Sequence, residues 1–249
     1  MILAQTTRML LITFILSGGI VAAATGNYLL GILMHTIIVG FLLTGTLNPS
    51  SRLFGQVQTR CGKGIWLTLD DGPDPTDTPA ILDLLDRHVA KATFFVIGEK
   101  AAKHPELIRE IHRRGHQLGN HSWSHPHLSF WRLGPVATYW EIVKCQRVIK
   151  EITGEAPKIF RAPVGHYNIF VHPVLKQEGL RLIGWNSRGF DAGGYPLAEV
   201  TRRIRDTARD GSIVLAHEAT PIALEVVKTI LALAEENGWE VAIPDVWPE

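Results

Sequence analysis

Two adjacent carboxylates, Asp70 and Asp71, stand immediately before Gly72-Pro73, and two histidines four residues apart, His121 and His125, follow further along the chain. Neighbouring carboxylates repel each other unless a cation sits between or beside them. Two imidazoles and a carboxylate are the three-ligand set that a hydrolytic metal needs, with one position left open for water. One aspartate can then bind the metal while its neighbour accepts a proton from the attacking water. The plain alternative for Asp70-Asp71 is a turn initiator ahead of Gly-Pro. The spacing His121-Ser-Trp-Ser-His125 predicts both rings on one side of a single helical turn. No Glu follows His121, so the HExxH metalloprotease reading fails.

These residues need a scaffold that brings them together. Ile65-Trp66-Leu67-Thr68-Leu69 is a short apolar run that ends at Asp70. Strands are expected again at Ala92–Ile97, His116–Gly119, Lys158–Arg161, Leu180–Trp185 and Ser212–Ala216, with Val241–Ile243 closing the set. Helices are expected at Ala80–His88 (capped by Thr78, with Pro79 in its first turn), Pro105–Arg114, Val136–Ile152, Leu197–Arg209 and Ile222–Asn237. Strands alternating with helices indicate βα units around a parallel sheet, closed or nearly closed into a barrel, with an open doubly wound sheet as the alternative. On this reading Asp70, His121, Arg161, Asp191 and His217 all lie at or just beyond carboxyl ends of strands. In parallel α/β folds those ends share the face that carries the active site.

The N-terminal part is of another kind. From Met9 to Ser51 there is no Asp, Glu, Lys or Arg. That run is too long for one membrane span and suits two, Met9–Ala24 and Tyr28–Leu47, joined by a turn at Thr25-Gly26-Asn27. A signal peptide ending near Ala22-Ala23-Ala24 is the competing reading, and it leaves Tyr28–Leu47 as an anchor. Arg8 before the first span and Arg52, Arg60 and Lys63 after the second place both ends in the cytoplasm by the positive-inside rule. Residues 1–47 are thus expected to be a membrane hairpin in a bacterial inner membrane, 48–63 a linker, and 64–245 the catalytic domain.

Composition adds exclusions. The net charge of the 249 residues is +1, without basic blocks, which argues against a nucleic-acid partner. Cys61 and Cys145 stand far apart with no CxxC spacing, so neither a zinc ribbon nor a disulfide framework is expected.

Five motifs together resemble the polysaccharide deacetylase family, also called the NodB homology domain or carbohydrate esterase family 4. The resemblance runs from about Gly64 to Ile243. Thr68-Leu69-Asp70-Asp71-Gly72-Pro73 is similar to the family's TFDDGP, which implies Asp70 as general base and Asp71 as metal ligand. His121 and His125 resemble the histidines that complete the metal triad. Arg161-Ala162-Pro163-Val164-Gly165 resembles RxPxG, whose arginine would hold and orient the base while the N–H of residue 164 helps bind the oxyanion. Trp185 with Asp191 resembles the fourth motif, and Leu215-Ala216-His217 resembles LxH, making His217 the general acid oriented by Asp191.

Pro163, Val164, Trp185 and Leu215 are, on this resemblance, the substrate and oxyanion positions. The sequence departs from the family at Ala192, where Trp usually follows the aspartate, at Arg188, where an acidic residue is common, and at Val164, usually aromatic. The resemblance implies a distorted (β/α) barrel and a divalent cation, Zn2+ first and Co2+, Mn2+ or Ni2+ as alternatives. It also implies hydrolysis of acetyl or other short acyl groups from amino sugars in a polysaccharide, peptidoglycan or lipid-linked glycan. The partners are then a carbohydrate and a lipid bilayer. The competing functions are an amidase on small non-sugar amides and a non-catalytic, membrane-tethered sugar-binding module.

Overall fold

Side chains of a strand point alternately to its two faces, and strand β1, Ile65–Gly72, uses both. Ile65, Leu67 and Leu69 pack outward with Ile81, Leu85, Val226 and Ile230 of the surrounding helices. Trp66 points the other way, into an interior cluster with Phe95, Ile159, Ile213 and Leu215. A strand covered on both faces reads as one continuous apolar run, which is why 65–69 stands out in the sequence. The same parity carries Thr68 and Asp70 into the interior.

The computed structural model describes residues 24–244. Strands β1, β2 (Thr93–Val96), β3 (Gln117–Asn120), β4 (Ile159–Phe160), β5 (Arg181–Leu182), β6 (Ser187–Arg188) and β7 (Ser212–His217) form one sheet in the order β5-β4-β3-β2-β1-β7-β6. Every pairing is parallel. The two edge strands are consecutive in the chain, so segment 181–188 pairs with β4 at its start and with β7 at its end. This bent segment joins the edges of a curled sheet, and the expected distorted (β/α) barrel results. Val241, expected in a closing strand, instead makes a single parallel bridge to Ile65.

Helices α1 (Tyr28–Leu47), α2 (Asp77–Arg87), α3 (Gly98–Lys103), α4 (Pro105–Arg113), α5 (Pro135–Thr153), α6 (Val171–Glu178), α7 (Leu197–Thr207) and α8 (Ala223–Glu236) complete the described chain. The short α3 and α6 were not expected, since one or two turns carry little periodic signal. The start of α2 also differs from expectation. Asp74 caps it, its Oδ1 accepting from the N–H groups of Thr76 and Asp77, while Thr78 lies inside the helix and its hydroxyl donates to Glu218.

Helix α1 has a mean hydropathy of 1.9 over its best window and is long and apolar enough to cross a membrane. Asn27 caps it by accepting from the Leu30 N–H. Apart from Ala24, the first expected span lies outside the described residues, as does Arg8. Residues 48–63, expected as a linker, are packed on the barrel. Val57 and Cys61 are buried, Gln58 pairs with Ile183, and Arg60 pairs with Ser212.

Leu67→Ala is expected to lower unfolding free energy by about 2–5 kcal/mol, because it opens a cavity between β1 and the helices. Gln177→Ala, at an exposed position in α6, should change it by less than about 0.5 kcal/mol. Denaturant titration of the two variants measures the difference.

Candidate active site

In a regular strand Asp70 and Asp71 would face opposite sides of the sheet. The register of β1 against β2 shifts between Asp70 and Gly72, and Asp71 adopts φ 71°. This bulge turns the second carboxylate toward the face the first already occupies. Gly72 follows without a side chain because a Cβ there would stand 1.7 Å from the Glu218 carboxylate.

Arg161, at the end of β4, is fully buried and organises the interior beneath these carboxylates. Its Nη1 donates to Asp70 Oδ1 at 2.7 Å and to Thr68 Oγ1 at 2.8 Å. Nη2 donates to the Gly184 carbonyl at 2.9 Å, and Nε to that of Ile183 at 3.3 Å. The guanidinium lies 4.2 Å over the Phe95 ring. Burial pulls the Arg161 pKa down and Asp70 opposes it. The Arg161 carbonyl also accepts from His121 Nδ1 at 2.8 Å. That bond sets the His121 tautomer and turns the Nε2 lone pair toward the carboxylates.

Asp71 Oδ1 lies 3.5 Å from His121 Nε2 and 3.3 Å from His125 Nε2. It is buried and makes no hydrogen bond. Such an orphaned acceptor calls for a missing partner. The three donor atoms lie within 4.8 Å of one another. Four ligands at about 2.0–2.2 Å in a tetrahedron stand about 3.3–3.5 Å apart, so the set fits a divalent ion. Burial, and then the neighbouring His121, push the His125 pKa down to about 4, leaving its imidazole neutral as a ligand must be. Burial alone would raise the Asp71 pKa, but His121, His125 and His217 hold it well below the usual carboxylate range.

The two histidines do not ride on a helical turn as expected. They lie in an irregular loop after β3 in which Ser122 and His125 have φ of 66° and 51°. Asn120 Oδ1 accepts from the Ser122 N–H, and Glu141 Oε2 accepts from the N–H groups of Trp123 and Ser124.

On the other side of β1, His217 ends β7 in register with Asp70. Asp191 holds it twice: Oδ1 accepts from His217 Nδ1 at 2.9 Å and Oδ2 from its backbone N–H at 2.7 Å. Burial would depress the His217 pKa, but Asp191, with Asp70 and Asp71 behind it, raises it to about 9. Nε2 is left for an acid–base role.

The remaining expected positions divide. Val164 is half-exposed, with φ 57°, in a turn whose hydrogen bonds run from Gly165 N–H to Ala162 and from His166 N–H to Pro163. Its own N–H takes no part in them. Pro163, Trp185 and Leu215 are buried, so Pro163 and Leu215 support the site and do not line it, while Trp185 packs beneath the Gly165 backbone. Glu218 and Lys100 join the site without having been expected. Both line the cleft of about 410 Å3 that contains Asp71, His125 and Asp191. Lys100 Nζ donates to the Asp71 carbonyl at 2.6 Å. Burial lifts the Glu218 pKa to about 8. The only sequence signal for Glu218 is its place next to His217.

The sequence profile of the polysaccharide deacetylase family matches residues 58–183. The chain belongs to the polysaccharide deacetylase family. It is 35% identical over 203 residues to peptidoglycan-N-acetylglucosamine deacetylase PgdA of Listeria monocytogenes, a match covering 81% of this chain and 42% of that protein. The chain therefore spans about two fifths of that relative's length. It is 36% identical over 164 residues to a chitooligosaccharide deacetylase of Azorhizobium caulinodans, with 66% of this chain and 77% of the relative covered. Among solved structures, the Bc1960 peptidoglycan N-acetylglucosamine deacetylase in complex with 4-naphthalen-1-yl-N-oxidanyl-benzamide matches with TM-score 0.71 and 28% identity. That match covers 77% of this chain and 92% of the other. In this chain the matched region contains Asp70, Asp71, His121, His125 and Arg161, while Asp191 and His217 lie beyond it.

Two outcomes are expected. His121→Ala should weaken Zn2+ binding by more than about 100-fold, since losing even an outer partner of a ligand costs about 10–100-fold. Calorimetric titration of metal-stripped protein measures it. The raised His217 pKa contributes stability that is complete below about pH 6.5 and lost as pH rises through about 9. In metal-free protein, Asp191→Asn should therefore destabilise more at pH 6 than at pH 10, as read by thermal melts at the two values.

Proposed function

We propose that this chain is a membrane-anchored, divalent-cation-dependent deacetylase that removes acetyl or other short acyl groups from amino sugars. One observation carries the reading: Asp70 and His217 are each tied to a buried partner beside an Asp-His-His set whose spacing suits a divalent ion. The named activities of the relatives on peptidoglycan and chitooligosaccharides support an amino-sugar substrate. The anchor would be residues 1–47, with 48–63 connecting it to a catalytic domain over 64–245.

The geometry supports a role for each residue. Asp71 Oδ1, His121 Nε2 and His125 Nε2 would hold the cation, Zn2+ before Co2+, Mn2+ or Ni2+ on its fit to imidazole ligands. When bound, the cation supplies Lewis-acid polarisation of the substrate carbonyl and a lowered pKa for water at the site. Arg161 fixes Asp70 Oδ1, so Oδ2, which faces the histidines at 3.6 Å from His121 Nε2, takes the proton from the attacking water. The Val164 N–H donates to the carbonyl oxygen as negative charge builds there. His217, charged by Asp191 and presenting Nε2, protonates the amine nitrogen as its bond to the acyl carbon breaks. The products are a free amino sugar and a short carboxylic acid. Arg188, Val164 and Ala192 depart from the family pattern on the substrate side and would tune which sugar is accepted.

Arg52, Arg60 and Lys63 follow α1 and favour a cytoplasmic catalytic domain. A reporter fused after Glu249 that is active only outside the cytoplasm would reverse that placement.

Asp70→Asn is expected to retain the metal and lose about 10²–10⁴-fold in turnover. Acetate or formate release from chitooligosaccharides, peptidoglycan fragments and lipid-linked amino sugars, with metal content measured in the same preparation, tests it. Near-normal turnover of Asp70→Asn would remove Asp70 as the base.

A further inference from the structure

The last turn of α1 packs directly onto the loop that carries Val164. Thr46 accepts a hydrogen bond from the Tyr167 N–H at 3.3 Å. Tyr167 Oη donates to the Ser51 carbonyl. Pro49 lies so close to Gly165 that a Cβ there would stand 2.7 Å from it, and a Cβ on Gly184 would stand 3.2 Å from the Pro49 carbonyl. Only a residue or two therefore separate the end of the apolar helix from the active-site loop. The rest of α1 is largely exposed, with Leu29 80% and Ile32 64% accessible.

The exposed apolar side chains of the barrel are unevenly placed. Leu128, Val136, Trp140, Val164, Phe190 and Tyr195 all lie on loops at the carboxyl ends of strands or on the first two turns of α5, which follow such a loop. Among the described residues outside α1, only Val89 lies elsewhere, in the turn between α2 and β2. Two chains of contact run from α1 to this collar. One goes from Tyr167 to its neighbour Asn168, whose Nδ2 donates to the carbonyls of Phe130 and Leu133 and to Thr138, beside Val136. The other goes from Gly165 to Trp185, over which Arg188 lies, and Arg188 in turn lies 3.6 Å over Phe190. Arg203 lies 4.0 Å over Tyr195. Rings paired with guanidinium groups around an apolar rim are suited to the headgroup layer of an anionic bilayer.

We infer that the active-site face of the barrel lies against the phospholipid surface that α1 enters, and that the site takes its amino sugar from a lipid carrier held in that surface. This rests on the membrane-anchored deacetylase reading above. Burying a few such side chains in the interface contributes affinity without any groove for a protein partner. A free glycan would have to displace the surface to enter.

The test uses the full-length chain reconstituted in vesicles of phosphatidylcholine and phosphatidylglycerol. Cys61 and Cys145 are both buried, so single cysteines at Leu128→Cys, Val136→Cys and Val89→Cys take an environment-sensitive fluorophore selectively. Labels at 128 and 136 should be quenched by doxyl-labelled lipid and shielded from aqueous iodide, with the label at 89 showing the reverse. Equal iodide access at all three positions would overturn the inference, as would shielding that depends on protein concentration in detergent without lipid, which would assign the face to a second copy.

In a second arm, Val136→Glu with Trp140→Glu should lower kcat/KM on polyprenyl-phosphate-linked N-acetylglucosamine in vesicles by about tenfold or more. The same variant should act on soluble chitotetraose at least as well as the unmodified protein. An equal effect on both substrates would overturn the lipid-carrier part. Absence of activity on either substrate in the unmodified protein would remove the deacetylase reading, with the labels still deciding the membrane face.

Discussion

A buried positive charge has few places to go, and in this protein Arg161 determines where much else must be. Taking a guanidinium out of water costs several kcal/mol unless its donors are met. Here they are met by Asp70, by Thr68, and by the carbonyls of the bent segment that joins the sheet edges. The same residue's carbonyl orients His121. One side chain and its backbone thus link Asp70, the cluster of Asp71, His121 and His125, and the bent segment between the sheet edges. The arginine is at once part of the core and part of the chemistry.

Around it, the site is assembled from local departures from regular structure. Asp71, Ser122, His125, Val164 and Phe190 all adopt positive φ although none is glycine. Each costs of order 1–3 kcal/mol, and such conformations persist only where the surroundings over-determine them. The surroundings here are specific: Lys100 on the Asp71 carbonyl, Asn120 and Glu141 on the histidine loop, Asp191 on the His217 backbone. The regular strands supply depth and direction, and the irregular residues at their ends supply aim.

The apolar helix α1 extends this logic outward. Had α1 ended in a loose tether, the barrel could face any way. Contacts through Thr46, Pro49 and Ser51 instead tie it to the loop of Val164 and Tyr167. The orientation of α1 relative to the barrel then becomes a property of the fold, in the same way that orientation of His217 is a property of Asp191.

Every strand but the two-residue β6, the helices longer than about two turns, the apolar segment Tyr28–Leu47 and the strand-end positions of Asp70, Arg161 and His217 were legible from residue order. Burial on both faces leaves an unbroken apolar run, and a polar residue terminating it stands out. The motif spacing likewise named Asp71, His121 and His125. What residue order did not contain was how those groups meet. The histidine pair reads as a helical turn, and only the packing of Asn120 and Glu141 makes it a left-handed loop. Residue order pairs the adjacent aspartates at one site but not the means: in a regular strand they would face opposite sides, and only the bulge against β2 brings them together. Residues 48–63 read as a linker because their partners, Tyr167, Ile183 and Ser212, are distant in sequence. Local pattern records which face of an element is buried. Which distant groups satisfy its polar atoms is decided by the curled sheet as a whole, since those hydrogen bonds exist only once β4, the bent segment and β7 are in place.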